Sequence, residues 1–250
     1  MDHEKIIIPA ALVECLRAAK SVAVLTGAGI SAESGLPTFR DAMTGLWANF
    51  RPEDLATARA FERDPALVWK WYAWRRDMAA TATPNPGHYA LTAIEKRVPE
   101  FTLLTQNVDG LHQLAGSCDV VELHGSIMRS RCFREGTVVG DSDALSGDPP
   151  RCPACRGPLR PDVVWFGENL PADALNRAAV ATQECDLFIS IGTSGMVEPA
   201  ASLLRLAAEA GAHTAVINVE RIANVAPGTV QVIGPSGSVL PALVAAAWPG

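Results

Sequence analysis

The stretch 22–40, V-A-V-L-T-G-A-G-I-S-A-E-S-G-L-P-T-F-R, constrains the fold more than any other part of this 250-residue chain. The apolar run 22–25 reads as a short buried strand, after which Gly27 and Gly29 let the chain turn tightly into a helix start. Backbone N–H groups at a positive helix end can then approach a pyrophosphate, with Ala28 between the glycines and Ala32 in the third small position of the G-x-G-x-x-G/A pattern. That pattern alone fits a plain tight turn equally well. The continuation is more specific. A dehydrogenase of this architecture would place an acidic residue about 20 residues on, at the end of a second strand. Here Pro37, Phe39 and Arg40 follow at once, then a small-residue loop over 42–45, so chemistry other than hydride transfer is expected.

Further β-branched runs recur at 101–104, 120–123, 163–166, 187–191, 214–219 and 230–233, with helix-like stretches at 86–97, 171–183 and 199–210. This alternation predicts an α/β fold, a Rossmann-like parallel sheet with helices on both faces. Pro199 suits the first turn of its helix. Two segments break the alternation: 52–78 is helical in pattern and Trp-rich, and 126–161 is rich in Gly, Pro, Cys and Arg. They predict a smaller lobe of a helical insertion (51–85) and a zinc-ribbon-like module (125–161), beside a dinucleotide-binding domain of 1–50, 86–124 and 162–250. Ligand would sit in the cleft between them. A hydrophobic content of 48% supports a sizeable core, while a net charge of −6 gives no general attraction to nucleic acid or an anionic membrane. The longest apolar stretches, 187–192 and 242–248, are too short to span a bilayer, and residues 1–12 do not read as a secretory signal. Six cysteines are scattered unevenly rather than framed as disulfides, so a soluble, cytoplasmic protein is expected.

Polar residues cluster at predicted strand ends, where open α/β sheets bind ligands. Gln106, Asn107 and Asp109 follow one strand, although Asn107 or Asp109 also fits a helix cap for 110–115. His124 follows another beside Gly125, a placement that suits an acid/base group as well as a structural hydrogen bond. Gly192, Thr193 and Ser194 end a third strand, and Asn218, Val219 and Glu220 a fourth. Stability alone does not call for polar residues at four strand ends.

With these residues in view the chain resembles the sirtuins, NAD-dependent protein lysine deacylases, along nearly its whole length. The resemblance is carried by G-A-G-I-S-A-E-S-G-L-P-T-F-R (27–40), T-Q-N-V-D-G-L-H (105–112), H-G (124–125), R-P-D-V-V-W-F-G-E (160–168), G-T-S (192–194) and I-N-V-E (217–220). It implies attack of an acyl-lysine carbonyl on C1′ of the nicotinamide ribose, loss of nicotinamide, and a base that activates the ribose 2′-OH. His124 matches that base, and Asn107 and Asp109 match residues around the ribose and the carboxamide. Gly27, Ala28 and Gly29 would meet the pyrophosphate; Phe39 would shield C1′ from water, and Arg40 would steady the loop and phosphates. Thr38, Trp47, Gln106 and Gly192 join the implied cofactor set. So do Thr193 and Ser194 at phosphate or ribose groups, Asn218, Val219 and Glu220 near the adenosine, and Ser236. Val164, Phe166, Gly167, Glu168 and Val197 match segments between which the family threads its peptide as an added strand. The implied partners are acylated-lysine proteins or peptides, met by a monomer.

Tyr72 and Arg75, three apart on the Trp-rich helix, share a face. By itself this is also the pattern of an aromatic helix with a solvated Arg. Within the resemblance, Y-x-x-R looks like the acyl-pocket signature of the subgroup that removes succinyl and malonyl groups, the guanidinium gripping the distal carboxylate. Ala42 stands where that subgroup keeps a small residue. Cys152 and Cys155 have zinc-knuckle spacing, with Cys132 20 residues earlier. The family pattern has two C-x2-C pairs, but the first here reads Cys132-Phe-Arg-Glu135. Structural zinc is expected, its fourth position taken by Glu135, by a water, or by nothing. Alternatives to the deacylase are a plain deacetylase, a protein ADP-ribosyltransferase, or an NAD-sensing module without turnover. Sensing would not require a base beside the ribose.

Overall fold

The computed structural model describes residues 6–37, 50–140 and 147–249. In chain order its elements are α1 (Ala10–Ala18), β1 (Ser21–Thr26), α2 (Pro52–Leu55), α3 (Ala58–Arg63), α4 (Pro65–Thr81), α5 (Pro86–Glu95), β2 (Glu100–Thr105), α6 (Leu111–Leu114), β3 (Val120–Glu122), β4 (Gly125–Cys132), β5 (Val138–Val139), β6 (Leu159–Val163), α7 (Ala172–Glu184), β7 (Leu187–Ile191), α8 (Leu203–Glu209), β8 (His213–Asn218), β9 (Val230–Ile233) and α9 (Ser236–Ala247). Six strands form a sheet ordered β3-β2-β1-β7-β8-β9, parallel throughout. Thr26 pairs with Thr105 on one side and Ile191 on the other, so the carboxyl ends of β1, β2 and β7 line up along one edge. Strand order reverses between β1 and β7, which is the switch point where such sheets open a ligand crevice.

The run 22–25 is apolar at every position because β1 is buried on both faces. Val22 and Val24 pack into a core with Leu12 and Leu16 of α1, Leu91 of α5 and Leu240 of α9. Ala23 and Leu25 point the other way, onto Ala178 of α7 and Leu203 of α8. A second sheet, ordered β5-β4-β6, is antiparallel. Its Ile127 and Val163 pack with Leu55, Phe61, Val68, Trp71 and Tyr72 of α2 to α4 and with Trp165.

Three local expectations are corrected. The run 163–166 is not a strand of the parallel sheet: pairing runs over Leu159–Val163, in the small sheet beside β4. Beyond it the Arg160 guanidinium grips the Glu168 carboxylate, which also takes the Trp165 N–H, so the chain closes into a turn. After Gly27 the chain forms two 3-10 turns, Ala28–Ile30 and Ala32–Ser34, rather than an α-helix start. Two hydrogen bonds to β7 and its following loop hold it there, as described below. The stretch 199–210 begins as a 3-10 turn, Ala200–Ser202, with Pro199 preceding it, and becomes α-helical only from Leu203.

Candidate active site

At the switch point the loops after β1 and β7 cross at closer range than any side chain allows. A Cβ on Gly27 would lie 2.8 Å from the Gly192 carbonyl oxygen, and one on Gly29 2.7 Å from Gly192 Cα. Gly192 itself has a φ of +59°, and a Cβ there would meet the Ile30 nitrogen at 2.5 Å. The Gly27 N–H donates to the Ile191 carbonyl and the Gly29 N–H to the Gly192 carbonyl, each at 2.9 Å. These two amides therefore tie the loops together rather than pointing outward. The glycines serve the crossing, which a bulky residue at any of the three positions would push apart.

Asn107 and Asp109 leave the end of β2 and meet a residue the sequence reading did not single out, Ser31. Asn107 Nδ2 donates to Ser31 Oγ at 3.1 Å, and Ser31 Oγ donates to Asp109 Oδ2 at 2.8 Å. Asp109 Oδ1 also accepts the Leu111 N–H at 2.9 Å across Gly110, which is itself the N-cap of α6, so Asp109 stands one residue before the cap position. Burial raises the Asp109 carboxyl above its ordinary range, opposed by those two hydrogen bonds and by the positive charge of Arg75. The signal for Ser31 was its place two residues after Gly29, at the mouth of the crossing.

His124 sits in the turn between β3 and β4, half-buried. Its Nδ1 lies 3.0 Å from the Gln106 carbonyl oxygen. A carbonyl can only accept, so Nδ1 carries the proton and Nε2 keeps its lone pair. Burial lowers its pKa below the ordinary imidazole value, the Gln106 bond opposing. A neutral imidazole with a free Nε2 can take a proton near neutral pH.

On α4 the two neighbouring arginines diverge. Arg76 Nε donates to the Ile127 carbonyl at 2.8 Å, bracing β4. Arg75 lies over the rings of Trp71 and Tyr72, its guanidinium carbon 5.0 and 5.6 Å from their centroids, within electrostatic reach of Asp109. The Tyr72 hydroxyl is buried and accepts the Trp165 Nε1–H at 3.0 Å; burial pushes its pKa up to about 12. Val164 donates its N–H to the His124 carbonyl, and Phe166 donates its own to the Ala56 carbonyl. The Phe166 and Val197 side chains are exposed, 46% and 42%. Gly167 takes a φ of +85° in the turn. The Glu168 carboxylate is committed to Arg160 and the Trp165 N–H, so its side chain braces the turn.

Along the other strand ends, Thr193 Oγ1 lies 3.3 Å from Ser190 Oγ, and its carbonyl accepts from Asn218 Nδ2 at 3.2 Å. Ser194, Val219 and Glu220 are exposed. Ser236 is buried, and its hydroxyl donates to Glu33. Ala28 lies in the first 3-10 turn. Thr38, Phe39, Arg40, Ala42 and Trp47 fall outside the described residues.

In the small sheet Cys132, Glu135, Cys152 and Cys155 bring their ligand atoms within 4.8 Å of one another. Three thiol sulfurs and one carboxylate oxygen suit tetrahedral zinc, which takes both donor types. Four protein ligands would close a tetrahedral site, the arrangement of structural rather than catalytic zinc.

The doubly wound sheet and the glycine crossing, with Asn107, Asp109 and His124 at the same edge, define a dinucleotide-binding α/β protein with acid/base groups at its switch point. The chain belongs to the Sir2 family, whose sequence pattern matches residues 27–199. It is 49% identical over 248 residues to NAD-dependent protein deacylase 1 of Pseudomonas aeruginosa, covering 96% of this chain and 99% of that one. A Sir2 homologue solved in complex with NAD superposes with a TM-score of 0.88 at 41% identity, over 96% of this chain and 93% of that one. Sir2 bound to an acetylated peptide superposes with a TM-score of 0.84 at 28% identity, over 95% and 97%.

Proposed function

We propose that this protein is an NAD-dependent protein-lysine deacylase, removing acetyl and the acidic succinyl and malonyl groups, transferring the acyl group to ADP-ribose and releasing nicotinamide. The observation that carries the reading is His124, its Nδ1–H spent on the Gln106 carbonyl and its Nε2 free, on the sheet edge that also bears Asn107, Asp109 and Ser31. When bound, NAD supplies a C1′ that loses nicotinamide and a ribose hydroxyl that receives the acyl group. The residues do the rest. Nε2 of His124 takes the hydroxyl proton, and its lowered pKa keeps it neutral at physiological pH. Ser31 fixes the Asn107 amide and the Asp109 carboxylate relative to each other, which suits orientation of a leaving carboxamide. Thr193, Asn218, Val219 and Glu220 line the adenosine side, where Val219 offers an exposed apolar face.

Exposed Phe166 and Val197 flank the groove for an extended peptide carrying the acyl-lysine. Arg75 selects acidic acyl groups: a distal carboxylate can pair with a guanidinium already held against Trp71 and Tyr72. Residues 1–50, 86–124 and 162–250 form the NAD-binding domain, and 51–85 with 125–161 the smaller one carrying structural zinc. Among the described residues no helix is long and apolar enough to cross a membrane. We place the enzyme in the cytoplasm as a monomer acting on acylated-lysine proteins or peptides, its net charge of −6 giving no general attraction to nucleic acid.

The test is mass spectrometry of one peptide carrying acetyl-, malonyl- or succinyl-lysine, with and without NAD, for wild type and His124→Ala. Turnover of all three only with NAD is expected, falling on the order of 10²- to 10⁴-fold in the variant while NAD binding persists. Near-normal turnover by His124→Ala would remove His124 as the base.

A further inference from the structure

Glu33 stands in the second 3-10 turn, within the segment that carries Ser31. Its Oε2 accepts the Gly237 N–H at 2.6 Å and the Ser236 hydroxyl at 3.4 Å. These residues open α9, a 12-residue helix whose N-cap is Pro235 and makes no side-chain cap bond of its own. A carboxylate there satisfies an otherwise orphaned helix N–H and sits at the positive end of the helix dipole. Gly237 follows from this contact, because a Cβ on it would lie 2.8 Å from Glu33 Oε1. The same segment is gripped a second time by Asn85, the N-cap of α5, whose Nδ2 donates to the Ile30 carbonyl at 2.7 Å and to Ser34 Oγ at 3.0 Å. Gly87 lets the two helix starts meet, its Cβ position being 3.2 Å from the Ser236 carbonyl carbon. Residues 30–34 are thus pinned by the starts of two helices, and Ser31, between those anchors, is the residue that joins Asn107 to Asp109.

We propose that Glu33 is a positioning residue for the NAD site: by capping α9 it holds the 30–34 segment so that Ser31, Asn107 and Asp109 keep one arrangement. This rests on the reading of that site as an NAD site. Without the anchor the segment samples other positions, and apparent NAD affinity falls by the fraction of molecules that remain competent.

Isothermal titration of NAD, together with steady-state kinetics on an acetyl-lysine peptide, tests this in wild type, Glu33→Ala, Glu33→Gln, Gly237→Ala and Leu243→Ala. Glu33→Ala should raise the NAD Kd and KM about three- to ten-fold, the span of one typical helix-cap contact, and leave the peptide KM unchanged. Glu33→Gln keeps an acceptor oxygen and should stay within about two-fold of wild type. Gly237→Ala strikes the same contact from the helix side and should reproduce the NAD effect, which decides the matter if Glu33→Ala fails to fold. Leu243→Ala, in the buried face of α9, should lower the melting temperature without moving the NAD Kd. Glu33→Ala or Gly237→Ala that lose thermal stability yet keep the wild-type NAD Kd, or that raise the peptide KM equally, overturn the proposal. A wild-type protein that binds no NAD overturns the functional reading instead.

Discussion

Lowering the pH from 7 to 5 should destabilise this protein by roughly 4 kcal/mol through two side chains, His88 and His112. Both are buried, 0% and 1% exposed, with ring centroids 4.8 Å apart. His112 Nε2 lies 2.9 Å from Thr26 Oγ1 at the end of β1, and His88 Nδ1 accepts the Asn85 N–H. The remaining nitrogens, His88 Nε2 and His112 Nδ1, are buried without a hydrogen-bond partner. Burial holds His88 down to about 4. It holds His112 down to about 3, with the neighbouring His88 adding to the effect. Unfolded, each titrates near 6.5. The folded pKa is thus the lower one, so both sites are neutral in both states above about pH 7 and stability is then at its full value. As the pH falls through about 6.5, the unfolded chain takes up two protons that the folded chain refuses, and stability drops by about 1.4 kcal/mol per pH unit per ring until the folded pKa is reached. Integrated from pH 7 to 5 this is about 2 kcal/mol each, or roughly 8 to 16 °C in melting temperature for the pair in a chain of this size. Denaturation across this range should show the loss in wild type and about half of it in His88→Asn or His112→Asn. Histidine ring NMR resonances that titrate above pH 6 for both residues would refute the reasoning.

Arg75→Met should remove succinyl and malonyl turnover selectively, by roughly 30- to several-thousand-fold relative to acetyl, because an acetyl group presents no carboxylate to the guanidinium. Tyr72→Phe should act in the same direction, but it also strips the Trp165 Nε1–H of its acceptor, so a fall in melting temperature is expected beside the kinetic change. Equal loss of acetyl and succinyl turnover in Arg75→Met would make Arg75 structural. Purified protein should carry about one zinc per chain by elemental analysis, with Glu135→Cys binding it more tightly and Glu135→Ala more weakly in chelator competition. Metal-free protein of unchanged thermal stability would argue against the site.

The parallel sheet was legible because each strand buried on both faces leaves a continuous apolar run; β1 shows this, dividing Val22 and Val24 from Ala23 and Leu25 between two cores. The strand ends were legible for the same reason, since Gln106, His124 and Thr193 each follow such a run at once. The run 163–166 misled because its partner lies elsewhere: an ion pair between Arg160 and Glu168 turns the chain, and no local apolar pattern encodes a contact of that kind. The close approach of Gly27 and Gly29 to Gly192, more than 160 residues away, had no local signal beside the pyrophosphate expectation. Ser31 was overlooked because a small polar residue in a glycine loop carries no periodic signal, and its importance appears only when Asn107 and Asp109 fold against it. The cysteine spacing, by contrast, pointed to the gathering of Cys132, Cys152 and Cys155, and Glu135, one of the options left open for the fourth position, lies with them.

The proposed roles put reaction and selectivity on different parts of the chain. Asn107, Asp109 and His124 stand on loops that leave the parallel sheet, where strand register sets their relative positions. Arg75 and Tyr72 belong to α4, which packs on the small sheet through Trp71, Tyr72 and the Arg76 contact to Ile127. On the proposed roles, replacing residues of α4 should therefore change which acyl group is accepted while leaving His124, Asn107 and Asp109 in place. The exception is electrostatic, since Arg75 lowers the proton affinity of Asp109. A succinyl carboxylate paired to Arg75 would offset that charge, so the Asp109 pKa should lie higher with an acidic acyl substrate bound than with a neutral one.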